Sequence, residues 1–160
     1  MARQLLLTIG TELNDPPPAN ANAAGIAAIK NWLTSLGIDA TGIVIDNGSG
    51  LSRTARISAK QINALLTAVW NSTWRPEFMS SLSLTALDGT MRKRLKKSGL
   101  AGRARIKTGL VNGVRSMSGY VHSKNGKHYI VTMMIASNKV NFWNGNQVQD
   151  AVLEWIYQLQ

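Results

Sequence analysis

Lys107, Thr108 and Gly109 stand together where the residue pattern turns from helical to alternating. A lysine, a hydroxyl and a glycine in succession on an edge-accessible strand make a site for a carboxylate beside a reacting carbonyl. Lys107 would supply positive charge and Thr108 a hydrogen bond to the carboxylate. Gly109, with no side chain, would let a substrate backbone lie along the strand. The plain alternative is a solvated strand lysine. The chain has no cysteine, which excludes disulfides, thiolate catalysis and cysteine-based zinc sites. No metal or cofactor is expected. The two histidines, His122 and His128, fall in what reads as a strand hairpin, as solvated strand residues rather than members of a serine–histidine–aspartate triad.

The net charge is +10 and the isoelectric point is near 10.4. A positive field attracts anionic polymers: nucleic acid, anionic lipid or cell-wall material. The densest run is Arg92-Lys93-Arg94-Leu95-Lys96-Lys97, followed by Arg103 and Arg105. It reads as a solvated helix face or as the grip of a non-catalytic basic domain on an anionic polymer. No aromatic residues interleave with it, as on a platform for single strands, and no nucleic-acid-binding motif is visible, so nucleic acid is not expected. No apolar run reaches the roughly 18–20 residues of a membrane span. Met1 to Gly10 lacks the flanks of a signal peptide.

The elements that must position Lys107 follow from periodicity. The pattern predicts a helix over Ala2 to Ile9, with Leu5, Leu6 and Ile9 on one side and Gly10 as its stop. Pro16, Pro17 and Pro18 make a loop. A second helix spans Ala21 to Leu36, with Ile26, Ile29, Leu33 and Leu36 on one face and Gly37 as its cap. Gly42 to Asp46 reads as a short strand and Asn47 to Gly50 as a glycine-rich loop. Ser58-Ala-Lys-Gln61 has the spacing of a capping box, and the helix it opens carries Ile62, Leu65, Leu66 and Val69 inward. Trp74 to Asp88 is less regular, and Thr90 to Lys97 reads as a basic turn. Strands then follow over Ala104–Gly109, Val114–Ser123 and Tyr129–Ile135, joined at Asn112-Gly113 and Asn125-Gly126. A last helix over Asn146 to Leu159 carries Val148, Val152, Trp155 or Ile156, and Leu159 on one face. No linker divides the chain, and its 160 residues suit one domain.

Asp46-Asn47-Gly48-Ser49-Gly50-Leu51-Ser52-Arg53 resembles a segment of D-alanyl-D-alanine carboxypeptidases of the class C low-molecular-mass penicillin-binding type. In order after it stand Asp88-Gly89-Thr90, Lys107-Thr108-Gly109, Gly113-Val114-Arg115 and Ser118-Gly119-Tyr120-Val121, as the family has them. Met1 to Gly10 resembles the helix after the family's Ser-x-Asn motif, so the likeness covers nearly the whole chain. It implies an α+β fold of the penicillin-binding/β-lactamase-like transpeptidase kind: an antiparallel sheet flanked by helices, with Lys107 on an inner strand and the first and last helices packed on it. Residues 1–160 would be the C-terminal portion of the catalytic domain.

The superfamily's motifs are Ser-x-x-Lys, Ser-x-Asn and Lys-Thr-Gly. No lysine here has a serine three residues before it. Ser123-Lys124-Asn125 matches Ser-x-Asn but reads as a decoy on a turn, ten strand residues and roughly 33 Å from Lys107. The nucleophilic serine and the true Ser-x-Asn are expected upstream of Met1. The resemblance implies that Lys107 and Thr108 bind the terminal carboxylate of peptidoglycan peptides ending in D-Ala-D-Ala, that Gly109 flanks them, and that the Leu110 backbone N–H supplies one oxyanion donor. Many relatives have Ser or Thr where Leu110 stands, so a side-chain bond to substrate is lost. The Gly48 to Leu51 loop lines the cleft or simply turns the chain. β-Lactams would acylate the same serine, and the location implied is periplasmic. A chain begun at Met1 would leave apolar surface uncovered, which favours dimerisation or partial disorder, and is expected to be inactive alone.

Overall fold

The computed structural model describes all residues except Asp15, Asn112 and 138–141, with the side chains of 142–144 also left aside. The chain forms two compact units, Met1–Gln61 and Ile62–Gln160. The division falls inside a helix, which is why no linker marks it in the sequence.

In the first unit, α1 (Ala2–Glu12) packs on α2 (Ala21–Ser35). Helix α1 runs through Gly10 rather than stopping there. Gly10 serves close approach: a Cβ on it would run into the Ala21 carbonyl, and one on Gly25 into that of Leu6. Leu6 is buried, but Leu5 points outward at 62% exposure. On α2, Leu33 is buried and Leu36 exposed, with Ile26 and Ile29 between. Asn20 caps α2 by accepting from the Ala23 N–H at 3.0 Å. Gly37, at φ +73°, ends it, with the Ile38 N–H donating to Leu33 O at 3.0 Å and that of Gly37 to Thr34 O at 2.9 Å. The strand expected over Gly42 to Asp46 is only a bridge between Val44 and Arg56. The capping box forms: Gln61 Oε1 accepts from the Ser58 N–H at 2.9 Å, and Ser58 Oγ from the Gln61 N–H at 3.2 Å. It opens α3 (Ala59–Trp70).

The second unit is built on a four-stranded antiparallel sheet in the order β1 (Ser83–Leu84), β2 (Ala104–Val111), β3 (Val114–His122), β4 (His128–Ala136). The expected meander is β2 to β4; β1 and the short helix α4 (Arg75–Ser80) occupy the stretch whose pattern is irregular. Val111 pairs with Val114, so the first hairpin loop holds two residues. Of these, Asn112 lies outside the described residues, and Gly113 has φ +80°. On one face, α5 (Phe142–Gln158) covers Ala104, Ile106, Met117, Val121 and Val131 with Leu153 and Ile156. On the other, Tyr120 packs with Leu66 and Leu82, flanked by Ile62, Trp70 and Phe78. The Tyr120 hydroxyl donates to Leu66 O at 2.7 Å, and burial pushes its pKa up to about 12. The inward stripe of α5 is Gln149, Leu153 and Ile156; Val148 and Trp155 are exposed. The apolar pattern misplaces this stripe because a polar glutamine belongs to it.

An alanine at an exposed helical glycine stabilises by about 1 kcal/mol. Gly10→Ala is expected to have the opposite sign, lowering stability by roughly 1–3 kcal/mol through overpacking. Amide exchange along α1 reads it; unchanged or slower exchange would mean that the two helices are not in tight contact.

Candidate functional site

The start of β2 is held by one buried hydroxyl. Thr85 Oγ1 donates to Leu100 O at 2.5 Å and accepts from the Ala104 N–H at 3.1 Å. The Thr85 N–H in turn donates to Ala104 O at 2.9 Å. Just beyond β1, Asp88 accepts from the Leu84 N–H at 2.6 Å and leads into a 3-10 turn over Gly89–Met91. That turn brings Thr90 to the sheet, where Thr108 Oγ1 donates to Thr90 Oγ1 at 2.9 Å. The Asp88-Gly89-Thr90 and Lys107-Thr108-Gly109 segments thus meet.

Strand β1 pairs only with Arg105 and Ile106. From Lys107 to Val111 that side of β2 has no strand partner among the described residues. Lys107 therefore lies on an inner strand by order but on its unpaired half. Ala104 directs its N–H and C=O toward the β1 side. The pairing of β2 with β3 is unbroken, so by strand alternation Thr108 and Leu110 turn theirs to the same side. Two successive sets of backbone groups face the open edge. The Lys107 side chain is exposed and its Nζ donates to Thr108 O at 2.7 Å. A Cβ on Gly109 would run into the Ser116 hydroxyl, so glycine keeps this part of the strand flat.

Around Thr108 lie charged groups that the sequence reading missed. Arg94 is not a solvated member of the basic run. Its Nη2 meets Asp150 Oδ1 of α5 at 2.7 Å, with the arginine side chain 12% exposed. Arg94 also donates to Gln149 Oε1 at 3.4 Å. Arg115, 7% exposed, donates to Asn146 Oδ1. The signal for Arg115 was available: period-two counting across the hairpin puts it on the core face opposite Leu110. Nothing in the local pattern marks Arg94, whose partner is 56 residues away.

Ser123 is buried, and its hydroxyl donates to Lys127 O at 3.0 Å and bonds Asn125, which stabilises the second hairpin turn. The register sets Ser118 opposite Lys107. Ser123 is therefore only five residues along, roughly 17 Å rather than 33, still too far for shared chemistry. The Gly48 to Leu51 loop belongs to the first unit; Asn47 Oδ1 accepts from the Ser49 N–H at 2.9 Å, which turns the chain. His122 and His128 pair across β3 and β4 with rings stacked at 4.5 Å, and Trp70 lies 4.8 Å from His128. The His128 pKa is lowered, chiefly by burial, with the charges of His122 and Arg75 adding to it, although the residue keeps considerable solvent exposure.

This fold is shared with penicillin-binding proteins and β-lactamases. The structure superposes on penicillin binding protein 4 (dacB) of Haemophilus influenzae, complexed with a novel β-lactam, with TM-score 0.85 at 21% identity, covering 99% of this chain and 38% of that one. A β-lactamase from Chitinophaga pinensis gives 0.63 at 18% identity, with 97% and 63% covered. Residues 1–159 match the D-Ala-D-Ala carboxypeptidase 3 (S13) family, and the chain belongs to that family. It is 30% identical over 131 residues to a D-alanyl-D-alanine carboxypeptidase of Actinomadura sp. (strain R39), covering 79% of this chain and 24% of that protein. It is 32% identical over 77 residues to a penicillin-sensitive carboxypeptidase A of Dictyostelium discoideum, covering 47% and 15%. The chain spans a quarter or less of these curated relatives. Among the described residues, no helix is long and apolar enough to cross a membrane.

Removing Arg94 strands Asp150 in a partly buried place. Arg94→Met is expected to cost about 2–3 kcal/mol in urea unfolding, with strong coupling to Asp150→Asn in a double-mutant cycle; additive losses would mean that the pair contributes nothing. His128 has the opposite pH signature to a paired cation. Its folded pKa lies below the ordinary 6.5, so below that pH the unfolded chain binds more protons and stability falls as pH falls. Thermal unfolding between about pH 5 and 8 should show this slope, flattened in His128→Gln. An identical slope in the variant would place its origin elsewhere.

Proposed function

We propose that this chain forms the Lys-Thr-Gly wall of a serine-type D-Ala-D-Ala carboxypeptidase acting on peptidoglycan stem peptides, with residues 1–160 as the C-terminal portion of the catalytic domain. The observation that carries it is the open half of β2, with Lys107, Thr108 and Gly109 at its start and two sets of backbone groups turned outward. An extended peptide can add to such an edge. The Lys107 ammonium and Thr108 hydroxyl then hold the substrate's terminal carboxylate, Gly109 lets the backbone lie close, and the Leu110 N–H donates to the developing oxyanion.

In the reaction a serine Oγ attacks the carbonyl of the terminal D-Ala-D-Ala bond. The C–N bond breaks, the proton from the serine passes to the leaving amine, and free D-alanine departs. Water then adds to the acyl-enzyme ester and releases the shortened peptide with the serine restored. β-Lactams acylate the same serine. These 160 residues contain no Ser-x-x-Lys, so the nucleophile is supplied from outside them. Action at the cell wall puts the protein in the periplasm. Dimerisation belongs to the same reading and is tested by sedimentation. The rival polymer-binding reading loses support because Arg94 is turned into the fold.

Fluorescent-penicillin labelling of the complete open reading frame, beside this chain alone, tests the proposal. The complete product should label and this chain should not. Lys107→Ala in the complete product should slow labelling by about 100-fold or more. Failure of the complete product to label would overturn the reading, and labelling of this chain alone would overturn the assignment of the nucleophile.

A further inference from the structure

The chain has two histidines, and the fold sets them side by side. His122 ends β3 and His128 begins β4, directly opposite each other. The His122 N–H donates to Arg103 O at 2.8 Å, toward the start of β2 and away from β4. One step closer to the turn, the Ser123 N–H donates to Lys127 O at 2.9 Å. His122 and His128 are therefore a non-hydrogen-bonded pair, the kind in which Cα atoms stand only about 4.5 Å apart and side chains come closest. Both project on the face of Tyr120, because alternate residues share a face. Ser118 is the residue opposite Lys107, so His122 lies four residues further along β3, roughly 13 Å away.

The contacts of the pair use the faces of the rings. The two imidazoles stack at 4.5 Å with 12° between their planes, and Trp70 lies 4.8 Å from His128. No hydrogen bond takes up a ring nitrogen of either one among the described residues. His128 is exposed and His122 half-buried, so solvent reaches both. Above about pH 6.5 an ordinary imidazole is neutral and offers a lone pair. Metal–nitrogen bonds of about 2.0–2.1 Å require two ring nitrogens roughly 3 Å apart. Stacked rings reach that separation by turning about their terminal torsions, which are broad for histidine. The backbone is already held: the buried Ser123 hydroxyl donates to Lys127 O at 3.0 Å and bonds Asn125 across the turn.

The surroundings decide which ion suits the pair. Arg75 lies over Trp70 at 4.7 Å, and Lys124 and Lys127 stand in the turn. No third histidine, cysteine or carboxylate joins the two imidazoles among the described residues. Calcium and magnesium are held by oxygen ligands, carboxylates above all, and cationic neighbours repel an ion bound by charge alone. A late first-row ion bonds strongly to imidazole nitrogen instead, with copper(II) ahead of zinc(II). Water completes its coordination.

We infer that His122 and His128 form a two-histidine site for a divalent late transition-metal ion, Cu²⁺ most tightly, which ties the ends of β3 and β4 together. The inference does not rest on the function proposed above.

The test titrates the chain, prepared without a histidine tag, with Zn²⁺ and follows the histidine ring resonances, of which there are only two sets. Both should shift together and saturate at one ion per chain. Cu²⁺ should displace Zn²⁺, and either ion should raise the midpoint of thermal unfolding. Mg²⁺ and Ca²⁺ at the same concentration should do neither. His122→Gln and His128→Gln should each weaken Cu²⁺ binding about 100-fold, since joining two ligands multiplies affinity by roughly 10²–10⁴. The rise in midpoint should vanish in both variants. A measurement without mutation stands beside these: in the unaltered chain, Zn²⁺ should protect both histidines from carbethoxylation. A shift of one ring alone, one ion shared by two chains, unprotected histidines, or undiminished Cu²⁺ binding in either variant would overturn the site. The same shifts with Mg²⁺, or failure of Cu²⁺ to displace Zn²⁺, would overturn the assignment of the ion.

Discussion

A slip of one residue between β2 and β3 would exchange the two faces of β2. Lys107 would then point toward α5, and Ile106 would lose the buried cluster around Met91 and Leu100. The pairing that prevents this runs without a break from Ala104 with Val121 to Val111 with Val114, and closes on a loop of two residues. Tyr120 and Met117, buried on opposite faces, lock the same alignment through two different cores. Three placements follow from that register: Lys107 on one face, Thr108 on the other, and Arg115 across from Leu110.

The two faces carry different work. On the α3 side, Tyr120 reaches Leu66 and Arg105 reaches Met79 O at 3.1 Å, contacts that hold helices in place around an apolar cluster. On the α5 side, apolar packing around Leu153 gives way toward the strand ends to Gln149, Asn146 and the two arginines. The ion pair of Arg94 with Asp150 lies at this transition. It secures the turn after Thr90 against α5, and Thr90 in turn meets Thr108. A helix near the end of the chain thereby helps place a hydroxyl in its middle.

Much of this was legible from local pattern. Alternation with two Asn-Gly pairs predicts β2, β3 and β4, because a hairpin's register is set by neighbours in sequence. The capping box at Ser58 and the glycine after α2 are likewise local. What local pattern misses is long-range. Strand β1 has two residues and exists only because β2 accepts it. Gly10 reads as a stop because sequence does not reveal the helix pressed against it. Gln149 falls outside an apolar stripe although it is more buried than the valine beside it. The Lys107 motif was found by type and order. Its surroundings, Arg94 and Arg115, needed the fold.

The unpaired half of β2 is also a hazard. Any extended chain can complete such a ladder, including the same edge of a second molecule, and proteins blunt such edges with lysine. Here the edge opens on Lys107, whose side chain is exposed, in a chain of net charge +10. Two copies meeting edge to edge would crowd like charges along one ladder, while a peptide that brings its own carboxylate would not. On the proposed function, the residue that would recruit the right strand also discourages aggregation through the wrong one, and salt, by screening charge, would weaken both effects together.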